Sequence, residues 1–214
     1  MQQQKRRIIL ASIFLAIGIA GGAASVVSQG PLPADIAITR FLQSTLGSEP
    51  SWAGPITQSA KPPTVWLLLV GGLGLVWIRT GWRGPVAVLT AFLSIKLVDF
   101  ILRASVHTPK PIADLVAVAS PSESSGFPST FGLVYGAVFG CIVFARSSDD
   151  WKSTAALVTS IGMILIGAIS RIVLGGHWTS QMVASLCLAF AIVLVVYFGL
   201  EHKRETSSLL TAED

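Results

Sequence analysis

Six apolar stretches alternate with more polar connections along the chain: Ile8–Val27, Pro63–Ile78, Pro85–Leu102, Phe127–Ala145, Thr154–Leu174 and Thr179–Leu200. A helix that crosses a bilayer needs roughly 20 mostly apolar residues. The pattern therefore predicts an all-α integral membrane bundle of six transmembrane helices. The second stretch is short, and the last two are separated only by Gly175, Gly176, His177 and Trp178. With its basic start and the small residues Ala23, Ala24 and Ser25, the first stretch also fits a cleaved leader. An uncleaved helix is preferred, because five remaining spans would put the later loops on inconsistent sides. Residues 28–62 form a long loop whose weakly amphipathic part, Ile36 to Leu46, predicts a helix lying on the membrane interface. The sequence shows no repeat, low-complexity tract or linker, so residues 1–214 read as one domain with its core at about 63–200.

Composition strengthens the membrane reading. The chain is 52% hydrophobic, only 12% charged, and has a mean hydropathy of +0.70. A soluble domain carries about 25% charged residues. The net charge of +4 is basic, yet no basic cluster is interleaved with aromatics on a polar face, which speaks against a nucleic-acid partner. Cys141 and Cys187 both lie inside apolar runs and read as packing residues.

The cations divide into groups. With six spans, one side holds Lys5, Arg6, Arg7, Arg79, Arg83, Arg146, Lys152, Lys203 and Arg204, nine of fifteen. The positive-inside rule makes that side cytoplasmic and places both termini there. Arg40 and Lys61 belong to the external loop. Lys96, Arg103, Lys110 and Arg171 remain, within spans or at their external ends, where a cation is costly and is by default a functional candidate.

Three segments on that external side carry candidate chemistry: Arg103 to Pro111, Gly126 to Phe131, and Ser170 to Gln181. In the second, Pro128 opens a helix whose first N–H groups, at Ser129, Thr130 and Phe131, lack carbonyl partners and favour an anion. The Ser129 hydroxyl can donate to the same anion. Arg171 offers planar donors matched to phosphate oxygens, and Arg103 and Lys110 add positive charge. His177, following two glycines, is an imidazole able to attack phosphorus. Phosphoryl transfer asks mainly for such positioning and charge stabilisation. Lys96 with Asp99, or Asp99 with Arg103, also fits a plain structural ion pair. Trp178, with Trp52 and Trp82, reads as an interfacial anchor.

These segments resemble the three motifs of the type 2 phosphatidic acid phosphatase superfamily, KxxxxxxRP, PSGH and SRxxxxxHxxxD. Ser170, Arg171 and His177 match the third, and Pro128 and Ser129 match half of the second. Arg103, Lys110 and Pro111 match the first with its cations exchanged. A second register pairs Lys96 with Arg103, but Ala104 then replaces the proline. The resemblance implies that Arg103, Lys110, Ser129, the Thr130 amide and Arg171 hold the phosphate. His177 would be the nucleophile, and no metal or cofactor would be needed. The histidine of PSGH, the implied acid, is here Phe131. The final aspartate, which would orient the nucleophile, is Gln181, able to accept an imidazole hydrogen bond but not to supply charge.

The expected protein is thus a lipid phosphatase of a cell membrane, with a bacterial inner membrane suiting the loop-poor chain. It would act through a phosphohistidine on the external or periplasmic face. The substrate would be a lipid phosphate or a polyprenyl diphosphate, whose phosphate leaving group makes little demand for an acid. His107 is an alternative acid. A lipid-linked phosphotransferase and a catalytically weakened lipid-phosphate-binding protein are the rivals. A small transporter is disfavoured, since no span has a broken-helix polar pattern.

Overall fold

The computed structural model describes residues 2–145 and 150–210. Among them are eight helices and no strand: α1 (Gln2–Ser28), α2 (Asp35–Leu46), α3 (Ala53–Gln58), α4 (Val65–Thr80), α5 (Arg83–Ser105), α6 (Thr130–Val143), α7 (Trp151–Val173) and α8 (Thr179–Leu210). Four of them, α1, α5, α7 and α8, are long and apolar enough to cross a membrane. The other two apolar helices are shorter, 16 residues in α4 and 14 in α6. At 1.5 Å per residue, α6 is about 21 Å long. The sequence pattern had this helix begin at Phe127. It begins later because Ser129 is its N-cap, accepting from the Gly132 N–H at 3.2 Å, so Pro128 stands before the helix rather than at its first position. Arg146 lies outside the described residues.

α6 is the axis of the bundle, and every residue from 131 to 142 is buried. Gly132, Gly136 and Gly140 recur every fourth residue on the side facing α8. A Cβ there would press into Met182 and Ser185, into Ala189, and into Phe190. Small residues at this spacing let two apolar helices approach closely where lipid supplies no hydrophobic drive. α1 lies along α8 in the same way, with Gly18 and Gly21 against Leu188 and Ala184. Leu67, Leu93, Phe100 and Trp151 point outward and are exposed, the positions that acyl chains cover in a bilayer. Cys141 and Cys187 are buried and unpaired.

α1, α5 and α7 end, and α6 and α8 begin, at one end of this bundle. α2 and α3 are strapped across it. The amphipathic stretch does form a helix, but mainly polar side chains hold it down. Gln43 donates to the Ala117 and Val173 carbonyls at 2.8 and 2.9 Å, and Arg40 donates to the Leu115 carbonyl. Phe41 faces outward at 66% exposure, while Leu42 packs on the core. Asp35, 2% exposed, accepts from the Ser180 N–H and hydroxyl at 2.8 and 2.6 Å, and from the Leu32 N–H. A carboxylate from α2 set against the first turn of α8 satisfies orphan donors and complements the helix dipole. Asp35→Ala should therefore cost about 1–3 kcal/mol of stability, read as a lower midpoint for thermal unfolding in detergent. An unchanged midpoint would show that the strap does not hold α8.

Candidate active site

At the strapped end lies a cavity of about 700 Å³, lined by residues from α3, α5, α6, α7 and their connections. It brings together Lys96, Arg103, Lys110, Thr130, Arg171 and His177 from the sequence-based set. Lys61, Glu49 and Phe131 also line it. Five cations thus face one carboxylate among the described lining residues, which makes the cavity a trap for an anion.

His177 sits in the α7–α8 turn and is 3% exposed. Its Nδ1 lies 2.7 Å from the Gly126 carbonyl. A carbonyl only accepts, so Nδ1 carries the proton and Nε2 keeps its lone pair. Burial, with the Arg171 charge next, holds this histidine well below its usual 6.5, against the pull of the Gly126 bond. It is neutral, as a nucleophile must be. The turn needs its glycines. Gly175 has φ +64°, and its missing side chain makes room for the Ala117 carbonyl. Gly176 gives room to Arg171, whose guanidinium carbon would lie 2.7 Å from a Cβ there. The Arg171 Nε is buried without a hydrogen-bond partner, an unmet donor at the cavity wall.

Arg103 is held in place by its neighbours. Nε donates to Asp99 Oδ1 at 3.0 Å, and Nη2 donates to the Pro128 carbonyl and to Thr130 Oγ1 at 2.9 and 2.7 Å. Thr130 Oγ1 in turn donates to Asp99. Asp99 therefore pairs with Arg103, while Lys96 is exposed on the cavity wall, and the Lys96–Asp99 pair is not formed. The Thr130 and Phe131 N–H groups occupy the first two positions of α6, where a helix offers no carbonyl. Lys110 donates to Ser122 Oγ at 3.1 Å and to Ser124 Oγ. Burial first, then Arg171, Arg103 and Lys61, push its ammonium down to about 8.

Several expectations are corrected. Ser129 is fully buried and does not line the cavity: its hydroxyl caps α6 and its N–H donates to Ser185 Oγ at 2.8 Å. Gln181 makes no bond to His177. Its Oε1 accepts from the Trp178 N–H at 3.2 Å, and its Nε2 donates to the Pro109 carbonyl at 2.9 Å. The Gly126 carbonyl takes the orienting role instead, and Gln181 packs against Gly126, where a Cβ would meet its amide at 2.5 Å. His107 is exposed and faces a separate depression. Trp178 is 1% exposed, so it is packed inside rather than anchored at an interface. Sequence reasoning missed two sets of site residues. Lys61 could have been found as a lone cation directly before an apolar span on the motif side. Ser122 and Ser124 lay in the serine-rich run before Gly126.

A buried neutral imidazole thus stands beside a cation cluster at one end of a helical bundle, an arrangement suited to holding an anion. The family model of the PAP2 superfamily matches residues 7–204, and the chain belongs to that superfamily. Membership supports phosphatase activity on lipid phosphates in general, and with the apolar helices it makes the chain a multi-pass membrane protein. Among solved structures, the fold is similar to a transmembrane PAP2-type phosphatidylglycerolphosphate phosphatase from Bacillus subtilis. That match has a TM-score of 0.61 at 20% identity and covers 92% of this chain and 96% of that one. No match is found among the curated proteins.

Gly176→Ala should leave the fold intact, because only the flexible end of Arg171 has to move. It should weaken binding of orthovanadate, a phosphate mimic, by about tenfold, equivalent to about 1.4 kcal/mol of charge-assisted hydrogen bonding. Calorimetric titration checks this, and unchanged affinity would remove Arg171 from the anion site.

Proposed function

We propose that this protein hydrolyses a membrane-lipid phosphate through a phosphohistidine on His177. The observation that carries the reading is the tautomer of His177. With Nδ1 donating to Gly126, Nε2 is the free base of a neutral imidazole in a wall of cations. Lipid would enter sideways between helices and place its phosphate against Arg171, Lys110 and the Thr130 and Phe131 N–H groups. The Nη1 of Arg103 faces no competing partner among the described residues and could join them. Positive charge gathered there stabilises the equatorial oxygens as the bond to the leaving oxygen opens. His177 would take the phosphoryl group, and water would then release it.

On this reading the bundle has six spans, with both termini cytoplasmic and the cavity facing the periplasm or exterior. The short α4 and α6 would complete the set of six. Phe131 favours a polyprenyl diphosphate among the candidate lipids, because a phosphate leaving group needs little protonation. It also motivates the rival reading of a lipid-phosphate-binding protein without turnover. A phosphotransferase would give the same phosphoenzyme and differ only in the acceptor.

Detergent-purified protein should release phosphate from polyprenyl diphosphate, phosphatidic acid or phosphatidylglycerol phosphate, and His177→Ala should reduce release to background. Binding without release from any of them would favour the non-catalytic rival. The pH dependence follows from the depressed imidazole. Because His177 gains its proton only well below 6.5, the acid limb of kcat/KM should fall below that value. A limb at 6.5 or above that stays in place when the substrate, and with it the second ionisation of the substrate phosphate, is changed would contradict a neutral buried nucleophile.

A further inference from the structure

An alkoxide is a poor leaving group unless it receives a proton as the bond breaks. Phe131, stacked on Tyr135 at a centroid distance of 4.1 Å, cannot provide one. The other protic groups are poorly placed. Tyr135 gives its hydroxyl proton to Ser59 Oγ, because Ser59 already donates to the Ile56 carbonyl. His107 faces away from the cavity, and Glu49 is exposed on the α2–α3 connection. Arginines do not release their protons. Lys61 and Lys96 are exposed to solvent.

Lys110 differs from all of these. It is half-buried in the same cavity as His177 and Arg171. Two of its three ammonium hydrogens are held by Ser122 and Ser124, which are themselves in hydrogen-bond contact at 3.0 Å. One N–H is left for a substrate oxygen. The charged and titratable groups around it are Arg171 from α7, Arg103 and Lys96 from α5 and His177 from the α7–α8 turn. Lys61 and Glu49 come from the connections flanking α3, and His107 and Glu123 from its own loop. Cations predominate among them, and they favour the neutral amine. The exchange of cations in the first motif thus has a chemical consequence: an arginine at position 110 could hold phosphate but could not donate a proton.

We infer that Lys110 is the general acid of this site, protonating the leaving oxygen in the first transfer and activating water in the second. This rests on the phosphohistidine reading above. In the first transfer His177 Nε2 forms a bond to phosphorus and the phosphorus–oxygen bond to the lipid breaks. The Lys110 ammonium gives its proton to the departing oxygen, yielding lipid alcohol, phosphohistidine and a neutral amine. In the second transfer that amine takes a proton from water, the oxygen bonds to phosphorus, the phosphorus–nitrogen bond breaks, and phosphate leaves. Lys110 regains its ammonium form and His177 its neutral form. Ser122 and Ser124, both exposed, link the amine to solvent. A site equipped in this way accepts lipid phosphomonoesters as well as diphosphates, so Phe131 does not restrict it to the latter.

The test is Lys110→Arg, which preserves charge and restores the residue that the superfamily motif places there. If Lys110 only binds phosphate, the substitution is benign. As the acid, it should lower kcat/KM for phosphatidic acid by about 10²–10⁴-fold. The loss on para-nitrophenyl phosphate, whose phenolate leaves without a proton, should be at least tenfold smaller. kcat/KM covers the first transfer alone, so the comparison is free of the water step. The wild-type kcat/KM for phosphatidic acid should also fall above about pH 8, where the ammonium titrates, and Lys110→Arg should lack that limb. Equal losses on both substrates, or none, in a protein whose activity His177→Ala abolishes, would overturn the acid and leave the phosphohistidine reading standing. His177-dependent turnover of polyprenyl diphosphate without turnover of phosphatidic acid would also overturn the acid alone. No His177-dependent turnover of any of these substrates by the wild-type protein would overturn both.

Discussion

The 2.7 Å hydrogen bond between His177 Nδ1 and the Gly126 carbonyl is the constraint on which the rest of the site depends. It joins the loop entering α6 to the turn between α7 and α8, and it decides which nitrogen of the ring is a base. An aspartate would do this with charge; a carbonyl does it with geometry alone. The carbonyl must therefore be held from behind. Thr108 accepts from the Phe127 N–H through its hydroxyl and from the Gly126 N–H through its carbonyl, both at 2.8 Å. Gln181 closes the other side of Gly126 and reaches Pro109. A polar network satisfied to this degree rigidifies a buried site.

The second constraint is charge. Arg103, Lys110 and Arg171 are partly withdrawn from water and placed near one another, which costs stability unless an anion or a carboxylate answers them. Asp99 answers Arg103, and Ser122 and Ser124 solvate Lys110. The Arg171 Nε has no counterpart among the described residues. Sites that bind tightly to a developing charge commonly hold such unmet demand in the free state. The straps α2 and α3 complete the enclosure, with Asp35, Gln43 and Thr57 tying them to the ends of α7 and α8.

Much of this was legible in the sequence, for identifiable reasons. Long apolar runs dictate helices in lipid, and Arg171 meets His177 at fixed spacing because one sits in the last turn of α7 and the other in the short connection that follows it. Lys110 and Thr130 fell into place because proline and a helix start fix their backbones. What escaped was decided by contacts between distant segments. The resemblance made Gln181 the partner of His177, whereas the fold sets the Gly126 carbonyl against the ring and turns Gln181 to Trp178 and Pro109. Ser129 looked like a ligand because a helix N-cap and an anion ligand draw on the same residue types. The span expected over Phe127–Ala145 shortened because hydropathy does not register a cap. The role of Lys61 and of the serines around Lys110 depends on loops whose path no periodicity encodes.

The central claim is that His177 carries the phosphoryl group. The most direct measurement is an alkaline quench of the detergent-solubilised protein during turnover, followed by mass spectrometry of its peptides. The account predicts a phosphoryl group on the His177 imidazole, present with substrate and absent from His177→Ala. Turnover accompanied by an unmodified His177, or by a phosphoryl group on another residue, would contradict it.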